Sequence, residues 1–187
     1  MPSSTIQVHD KSFEVFISKE KIHERIAELA EQISKDYAGL NPLFIGILNG
    51  SFIFASDLFR ALSIDAEISF IKLASYKGTS SSGNVITAIG MDENIYQRHI
   101  IITEDIVDTG KTMVTFLPEL LQRNPASVKI ASFLSKPEAR QHKIEPDYIG
   151  FEIPNKFVVG YGLDYDRLGR NLPDLYIISS NSPEGEV

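Results

Sequence analysis

Two continuous apolar segments, Leu43–Leu48 and residues 99–103, constrain the fold of this 187-residue chain more than any other feature. Apolar runs of this length are typical of strands that are buried on both faces of a sheet. Each run leads through a turn or loop into a segment predicted to be helical, 52–62 and 111–123 respectively. Strands that alternate with helices form βαβ units, so the pattern predicts an α/β fold with a mostly parallel sheet flanked by helices.

A first helix is predicted between Ser18, a candidate N-cap, and Gly39, and Pro118 is expected to disturb the helix that contains it. The C-terminal segments have strand patterns without helices. They predict a small hood of residues 1–17 and 151–187 on a core of about 38–150, within a single domain. The predicted strands are 13–17, 43–48, 66–76, 85–90, 99–103, 128–134, 148–153, 157–161 and 175–178.

The composition excludes several classes of protein. A formal net charge of -7 argues against non-specific nucleic-acid binding, which needs clustered Lys and Arg. The absence of cysteine excludes disulfides, thiolate zinc sites and a cysteine nucleophile. No apolar run approaches the ~20 residues of a membrane helix, and the N-terminus lacks the pattern of a secretory signal. We therefore expect a cytoplasmic protein that binds neither nucleic acid nor a membrane.

The most informative segment is I-I-I-T-E-D-I-V-D-T-G-K-T, in which residues 104–112 join a strand to a helix. Ligands of open α/β sheets bind outside the carboxyl ends of the strands, where this loop is expected to lie. Backbone N–H groups at a helix start, together with hydroxyls, form an anion cradle. The residues of this cradle are Thr109, Gly110, Lys111 and Thr112.

Three carboxylates precede the cradle, and they belong to Glu104, Asp105 and Asp108. Carboxylates repel phosphate but suit a divalent metal ion or sugar hydroxyls. A ribose phosphate with a magnesium-bound diphosphate would satisfy the whole loop. The nucleotide-binding P-loop is excluded, because the first glycine of G-x-x-x-x-G-K-[ST] would fall at Asp105. An acidic surface turn is the plainer alternative, and the preceding acids and buried strand argue against it.

The segment resembles the phosphoribosyl-diphosphate motif of type I phosphoribosyltransferases: a β-branched strand, two adjacent acids, two apolar residues, then D-T-G-x-T. The resemblance implies the fold of that family and 5-phosphoribosyl 1-diphosphate as a substrate. The mechanism expected from it has Asp108 as general base, while Glu104 and Asp105 hold the ribose hydroxyls and, directly or through water, Mg²⁺.

Two further loops have an ordinary interpretation and a functional one. Leu48, Asn49 and Gly50 form a βα turn or a second anion site, and the resemblance implies a diphosphate loop with a cis bond between Leu48 and Asn49. Some members of the family carry a basic residue in place of Asn49, so diphosphate contact here would rest on backbone groups. Residues 77–84 read as a hairpin tip, and the resemblance implies a mobile lid that carries the Ser75–Tyr76 pair.

The stretch F-E-I-P-N-K-F-V-V-G-Y-G-L-D-Y resembles the hood of hypoxanthine-guanine phosphoribosyltransferases. A purine needs an aromatic face, a cation near its 6-oxo group and backbone groups along its edge. The resemblance implies that Lys156 contacts O6, Phe157 stacks on the ring and Val158 reads the edge through its backbone. It also implies a magnesium ligand at Asp164, a diphosphate contact at Arg170 and an approach to the purine by Lys136.

The function expected from these residues is transfer of a phosphoribosyl group to a 6-oxopurine base, by a homodimer or homotetramer as in most family members. A preference for xanthine is an open alternative, and the sequence does not rank hypoxanthine against guanine. A regulatory RNA-binding protein that has lost catalysis is a different class of function. The acidic net charge and the retained Asp108, Lys156 and Asp164 argue against it. A plain metal-binding acidic loop leaves D-T-G-K-T unexplained.

Overall fold

The computed structural model of the protein describes residues 5–76 and 85–179, which form two sheets and three α-helices. In chain order the elements are β1 Thr5–Val8, β2 Lys11–Ile17, α1 Lys19–Asp36, β3 Leu43–Leu48, α2 Phe52–Ala61, β4 Glu67–Tyr76, β5 Val85–Ile89, β6 His99–Val107, α3 Lys111–Leu121, β7 Ser127–Ser135, β8 Tyr148–Glu152, β9 Val158–Val159 and β10 Leu175–Ile178.

The two apolar runs lie side by side at the centre of a six-stranded sheet. Its strand order is β5-β4-β3-β6-β7-β8, and all neighbours are parallel except the pair of β4 with β5. The predicted mostly parallel sheet is therefore confirmed. Because the strands are parallel, the carboxyl ends of β3, β6 and β7 meet at one edge of the sheet.

Helices cover both faces of this sheet. One core cluster joins α1 and α2 to the sheet through residues such as Ile26, Phe54 and Ile101. A second cluster packs Met113 and Phe116 of α3 against the other face. The apolar spacing that predicted α1 becomes its buried face, which consists of Ile22, Ile26, Leu29, Ala30, Ile33 and Ser34.

A second, antiparallel sheet joins the two ends of the described chain, in the order β1-β2-β10-β9. In it β10 pairs with β2 on one side and with β9 on the other. Phe13, Val159 and Tyr176 are buried between these strands. N-terminal residues thereby support the segment around residues 157–165. The division into core and hood stays a prediction.

Several element predictions need correction. β1 was not foreseen, because its four residues T-I-Q-V alternate polar and apolar side chains over the shortest length that can indicate a strand. The predicted strand 157–161 shortens to Val158–Val159, since residues 160–162 have φ values of 105°, 47° and 100° that an extended strand cannot adopt. Ser18 precedes α1 without a side-chain cap, because its hydroxyl lies within reach of the Glu20 carboxylate instead.

The strand β6 is longer than predicted and continues to Val107, so that Glu104 and Asp105 lie on the strand and not in the loop. Pro118 is accommodated inside α3, which ends at Leu121. Within the described residues, none of the helices has the length and apolarity that crossing a membrane requires.

Candidate active site

A cavity of about 520 Å³ opens between the carboxyl end of β6 and the segment around β9. Most of the predicted acidic and purine-contacting side chains line it, although they come from segments about fifty residues apart in sequence. The lining residues are Asp105, Ile106, Asp108, Lys136, Asn155, Lys156, Phe157, Val158, Leu163 and Asp164. Ile106, Asn155 and Leu163 were not predicted from the sequence, because they carry no distinctive chemistry.

One wall of the cavity carries an aromatic ring beside a cation. Lys156 is exposed and Phe157 is half-buried at the start of β9. Within the described residues β9 is the last strand of its sheet, and β10 is its strand partner. The wall therefore offers an aromatic ring, an ammonium group and, among the described residues, a strand edge without a partner strand.

The N-terminal hairpin supports the Phe157 ring from behind. The Tyr165 ring meets Phe157 edge-on at 5.5 Å between centroids, and its hydroxyl donates to Asp10 Oδ1 at 2.7 Å. Lys11 Nζ lies 5.2 Å from the centroid of the Tyr165 ring. Asp10 and Lys11 lie about 155 positions from Tyr165 in sequence, and no local pattern indicated their contact.

The two acids of β6 lie in a desolvated position. Glu104 is only 8% exposed, and its Oε2 has no hydrogen-bond partner among the described residues. Burial raises its pKa well above the ordinary value, and the charges of Asp105 and Asp108 add to this. Burial also raises the pKa of Asp105 to about 6, although Ile106 N donates to Oδ1 and Arg170 lies near. A cation or sugar hydroxyls at these carboxylates would relieve the desolvation.

Asp108 is exposed at the cavity and directly follows the last residue of β6. Its carboxylate accepts a hydrogen bond from Thr109 N. Burial lowers the pKa of the nearby Lys136, and the charge of Asp108 opposes that effect. The arrangement places an accessible carboxylate and a half-buried ammonium group in one cavity.

The predicted anion cradle lies at the start of α3. Val114 N donates to Gly110 O as the first intrahelical bond, so the N–H groups of residues 110–113 have no acceptor within the helix. One of these groups is partly engaged, because Lys111 N donates to Thr109 Oγ1 at 3.3 Å.

The structure explains why a glycine stands at position 110, which the sequence did not reveal. Its φ of 80° is left-handed, and a Cβ atom would lie 3.3 Å from Ile144 and 3.5 Å from Arg140 Cδ. The glycine thus packs the loop against residues 140–144.

The turn after β3 has the cis peptide bond between Leu48 and Asn49 that the resemblance implied. Gly50 lies directly against the Asp105 carboxylate, with no room for a Cβ atom. The Ser51 hydroxyl donates to Ile47 O at 2.6 Å, so this donor is engaged within the turn itself.

Asp164 and Arg170 pair with each other at 2.5 Å. Arg170 Nη1 also donates to Gly162 O at 2.7 Å, and Asp164 Oδ2 accepts from Arg167 N at 2.7 Å. Among the residues that the structure describes, no group of three acidic or histidine side chains could enclose a metal ion. The predicted ligands Glu104, Asp105 and Asp164 therefore do not surround a metal ion with protein groups alone.

Magnesium nevertheless fits this donor set. Mg²⁺ is commonly held by one or two carboxylates together with substrate phosphates and water. Asp105 and Asp164 line the same cavity, and the neighbouring Glu104 has a buried oxygen that finds no hydrogen-bond partner in the described part of the chain. Ser75 and Tyr76 end β4, where their backbone pairs with β5. Residues 77–84 lie outside the described residues, so the predicted lid stays a prediction.

Residues 18–166 match the family model of the phosphoribosyl transferase domain. The chain belongs to the phosphoribosyl transferase family. Among the curated relatives of this phosphoribosyl transferase, the hypoxanthine-guanine phosphoribosyltransferase of Lactococcus lactis is 48% identical over 166 residues, covering 88% of this chain and 90% of the relative.

Solved structures agree with this assignment. A hypoxanthine phosphoribosyltransferase from Staphylococcus aureus is 38% identical with a TM-score of 0.83, over 89% of this chain and 91% of that one. A hypoxanthine-guanine phosphoribosyltransferase from Bacillus anthracis, with HEPES in its active site, is 35% identical with a TM-score of 0.82, over 89% and 98%. The α/β fold with its parallel sheet is the type I phosphoribosyltransferase fold.

Proposed function

We propose that this enzyme transfers the phosphoribosyl group of 5-phosphoribosyl 1-diphosphate to N9 of a 6-oxopurine, hypoxanthine or guanine. The products are IMP or GMP and diphosphate, and the reaction belongs to purine salvage. The observation that carries the proposal is one cavity lined both by the acids of the phosphoribosyl-diphosphate motif and by Lys156, Phe157 and Val158.

The purine lies against the Phe157 ring, which faces the cavity and is braced by Tyr165. Lys156 donates to the 6-oxo group, with Lys136 approaching the base from β7, and the open edge of β9 at Val158 meets the base through its backbone. An ammonium group has no acceptor for the 6-amino group of adenine, so this wall selects against adenine.

The phosphoribosyl diphosphate lies along the other wall. The N–H groups and hydroxyls of residues 109–112 hold its 5′-phosphate, and the turn of residues 48–50 with Arg170 contacts the diphosphate. Glu104 and Asp105 accept hydrogen bonds from the ribose hydroxyls.

In the reaction the bond from C1′ to the diphosphate oxygen breaks, and the oxygen keeps the electron pair. The purine N9 forms the new bond to C1′, and Asp108 takes the proton that the base loses, at N7. Ser75 and Tyr76 belong to the lid that excludes water from the ribosyl centre.

Asp105 and Asp164, with Glu104 beside them, would hold Mg²⁺ together with diphosphate oxygens and water. Bound magnesium supplies positive charge to the departing diphosphate.

The assembly and location are part of the same proposal. We expect a cytoplasmic homodimer or homotetramer, which light scattering coupled to size-exclusion chromatography would distinguish from a monomer. The core of about 38–150 and the hood of 1–17 with 151–187 act as the two walls of one site.

The test is a diphosphate-release assay on the purified protein with phosphoribosyl diphosphate and magnesium. Hypoxanthine, guanine, xanthine and adenine are added separately, and a reaction without base serves as the blank. We expect release with hypoxanthine, guanine or both, and release near the blank with adenine. Efficient use of adenine, or no release with any 6-oxopurine, would refute the proposal.

A further inference from the structure

The segment after β7 binds the backbone carbonyl groups of residues 107–109, which with Gly110 connect β6 to α3 and are called the acidic loop below. Lys136 N donates to Val107 O at 3.0 Å. Arg140 Nε donates to Asp108 O at 3.0 Å. The third carbonyl, Thr109 O, accepts the N–H groups of residues 141 and 142, each at 3.1 Å. One side of the loop is thus fixed completely by residues 136–142.

These bonds determine where the N–H groups of the loop point. In a trans peptide the C=O of one residue and the N–H of the next point to opposite sides of the chain. The carbonyls of Val107, Asp108 and Thr109 face residues 136–142, so the N–H groups of residues 108–110 face the opposite side. On that side Thr109 N donates to the Asp108 carboxylate. Together with the N–H groups at the start of α3, which have no acceptor within the helix, these groups form the surface proposed to bind the 5′-phosphate.

Arg140 is the member of this arrangement that acts through its side chain. Its half-buried guanidinium also donates to Ser135 Oγ at 2.9 Å and lies 3.5 Å from Val107 O. Ser135 is 1% exposed, so the guanidinium is anchored to the interior of the sheet. The planar group therefore ties the Asp108 peptide to β7.

We propose that Arg140 is a positioning residue, which orients the peptide groups of residues 107–110 so that their N–H groups bind the 5′-phosphate and Asp108 faces the base. Arg140 itself touches no substrate. The inference rests on the proposed function, since it concerns the phosphate of that substrate and product.

The test compares binding of IMP with binding of inosine, because the two ligands differ only in the 5′-phosphate. Dissociation constants from isothermal calorimetry give a ratio that measures the phosphate contribution. A merely structural role would weaken both ligands alike and leave this ratio unchanged. We expect Arg140→Met to lower the ratio by about tenfold, the effect of losing one charge-assisted hydrogen bond that orients the loop.

Arg25 offers a matched control outside the site. Its guanidinium donates to two backbone carbonyls, Gly150 O and Ile149 O, both at 2.9 Å. Arg25→Met removes the same chemistry from a half-buried position and should lower stability while the ratio stays at the wild-type value. Arg140→Lys keeps a charge but not the planar fork, so its ratio should lie between wild type and Arg140→Met.

The outcomes separate the two proposals. A wild-type protein that binds IMP no better than inosine refutes the proposed function and this inference with it. A strong wild-type preference that Arg140→Met retains refutes the role of Arg140 alone. If Arg140→Met does not fold, the test uses Arg140→Lys instead. A ratio of inosine to IMP dissociation constants equal to that of wild type in Arg140→Lys would then overturn the inference. An equal loss in Arg25→Met would also overturn it.

Discussion

Gly162 packs directly against the turn after β3, which is proposed to bind diphosphate. It has a φ of 100°, and a Cβ atom on it would lie 2.2 Å from the carbonyl oxygen of Gly50. That oxygen belongs to backbone and cannot rotate away. In Gly162→Ala the two loops must therefore separate by about 1 Å to reach an ordinary contact distance.

The expected effect has two parts. A left-handed conformation costs a residue with a Cβ atom roughly 1–2 kcal/mol, which lowers the free energy of unfolding. The displacement of the diphosphate loop adds a catalytic loss, since a misplacement of about 1 Å near reacting groups can cost on the order of 10²-fold in rate. We expect kcat/KM for phosphoribosyl diphosphate to fall by about that factor.

The variant Gly39→Ala separates the loss of stability from the catalytic loss. Its φ is 74°, but a Cβ atom there would have no neighbour within 4 Å. Gly39→Ala should lose similar stability in urea unfolding and keep wild-type kinetics. If Gly162→Ala retains the wild-type kcat/KM while both variants lose the same stability, the contact between the hood and the diphosphate loop has no part in substrate binding.

Three other predictions concern single side chains. Asp108→Asn should lower turnover by about 10²–10⁴-fold while IMP binding in calorimetry persists, and unchanged turnover would remove Asp108 from the mechanism. Phe157→Ala should raise the KM for purine by about tenfold or more, through loss of stacking and buried area; an unaltered KM contradicts the stacking. The pKa of Asp105 is raised by burial to about 6, above its unfolded value, so its contribution to stability falls as pH rises from about 4 to 6 and stays low above that. Asp105→Asn should flatten this part of the stability profile in urea unfolding, and a profile as steep as that of wild type would refute the assignment.

The sequence predicted the sheet because its signals are local and strong. Leu43–Leu48 is a strand with the predicted bounds, and α1 buries the residues whose spacing predicted it. Acidic side chains after a buried strand and a helix start behind them are likewise local, so the acidic wall of the cavity was foreseeable.

The sequence did not predict the supports of the site, because these are contacts between distant segments. Arg140 lies 32 positions from Asp108, and Asp10 lies 155 positions from Tyr165. Neither residue forms a motif on its own. Burial of Glu104 was also missed, since it depends on β6 extending beyond its apolar run.

The position of β10 between β2 and β9 has a consequence for the order in which the protein can form during synthesis. The strands β3, β6 and β7 and the segment that holds the acidic loop are complete once residue 142 has been made. The sheet behind Phe157 includes the first two strands of the chain, yet it closes only when residues 175–178 arrive. A nascent chain can therefore form the wall that carries Asp105 and Asp108 before the wall that carries Phe157, and β2 waits for its partner β10 across more than 150 residues of synthesis.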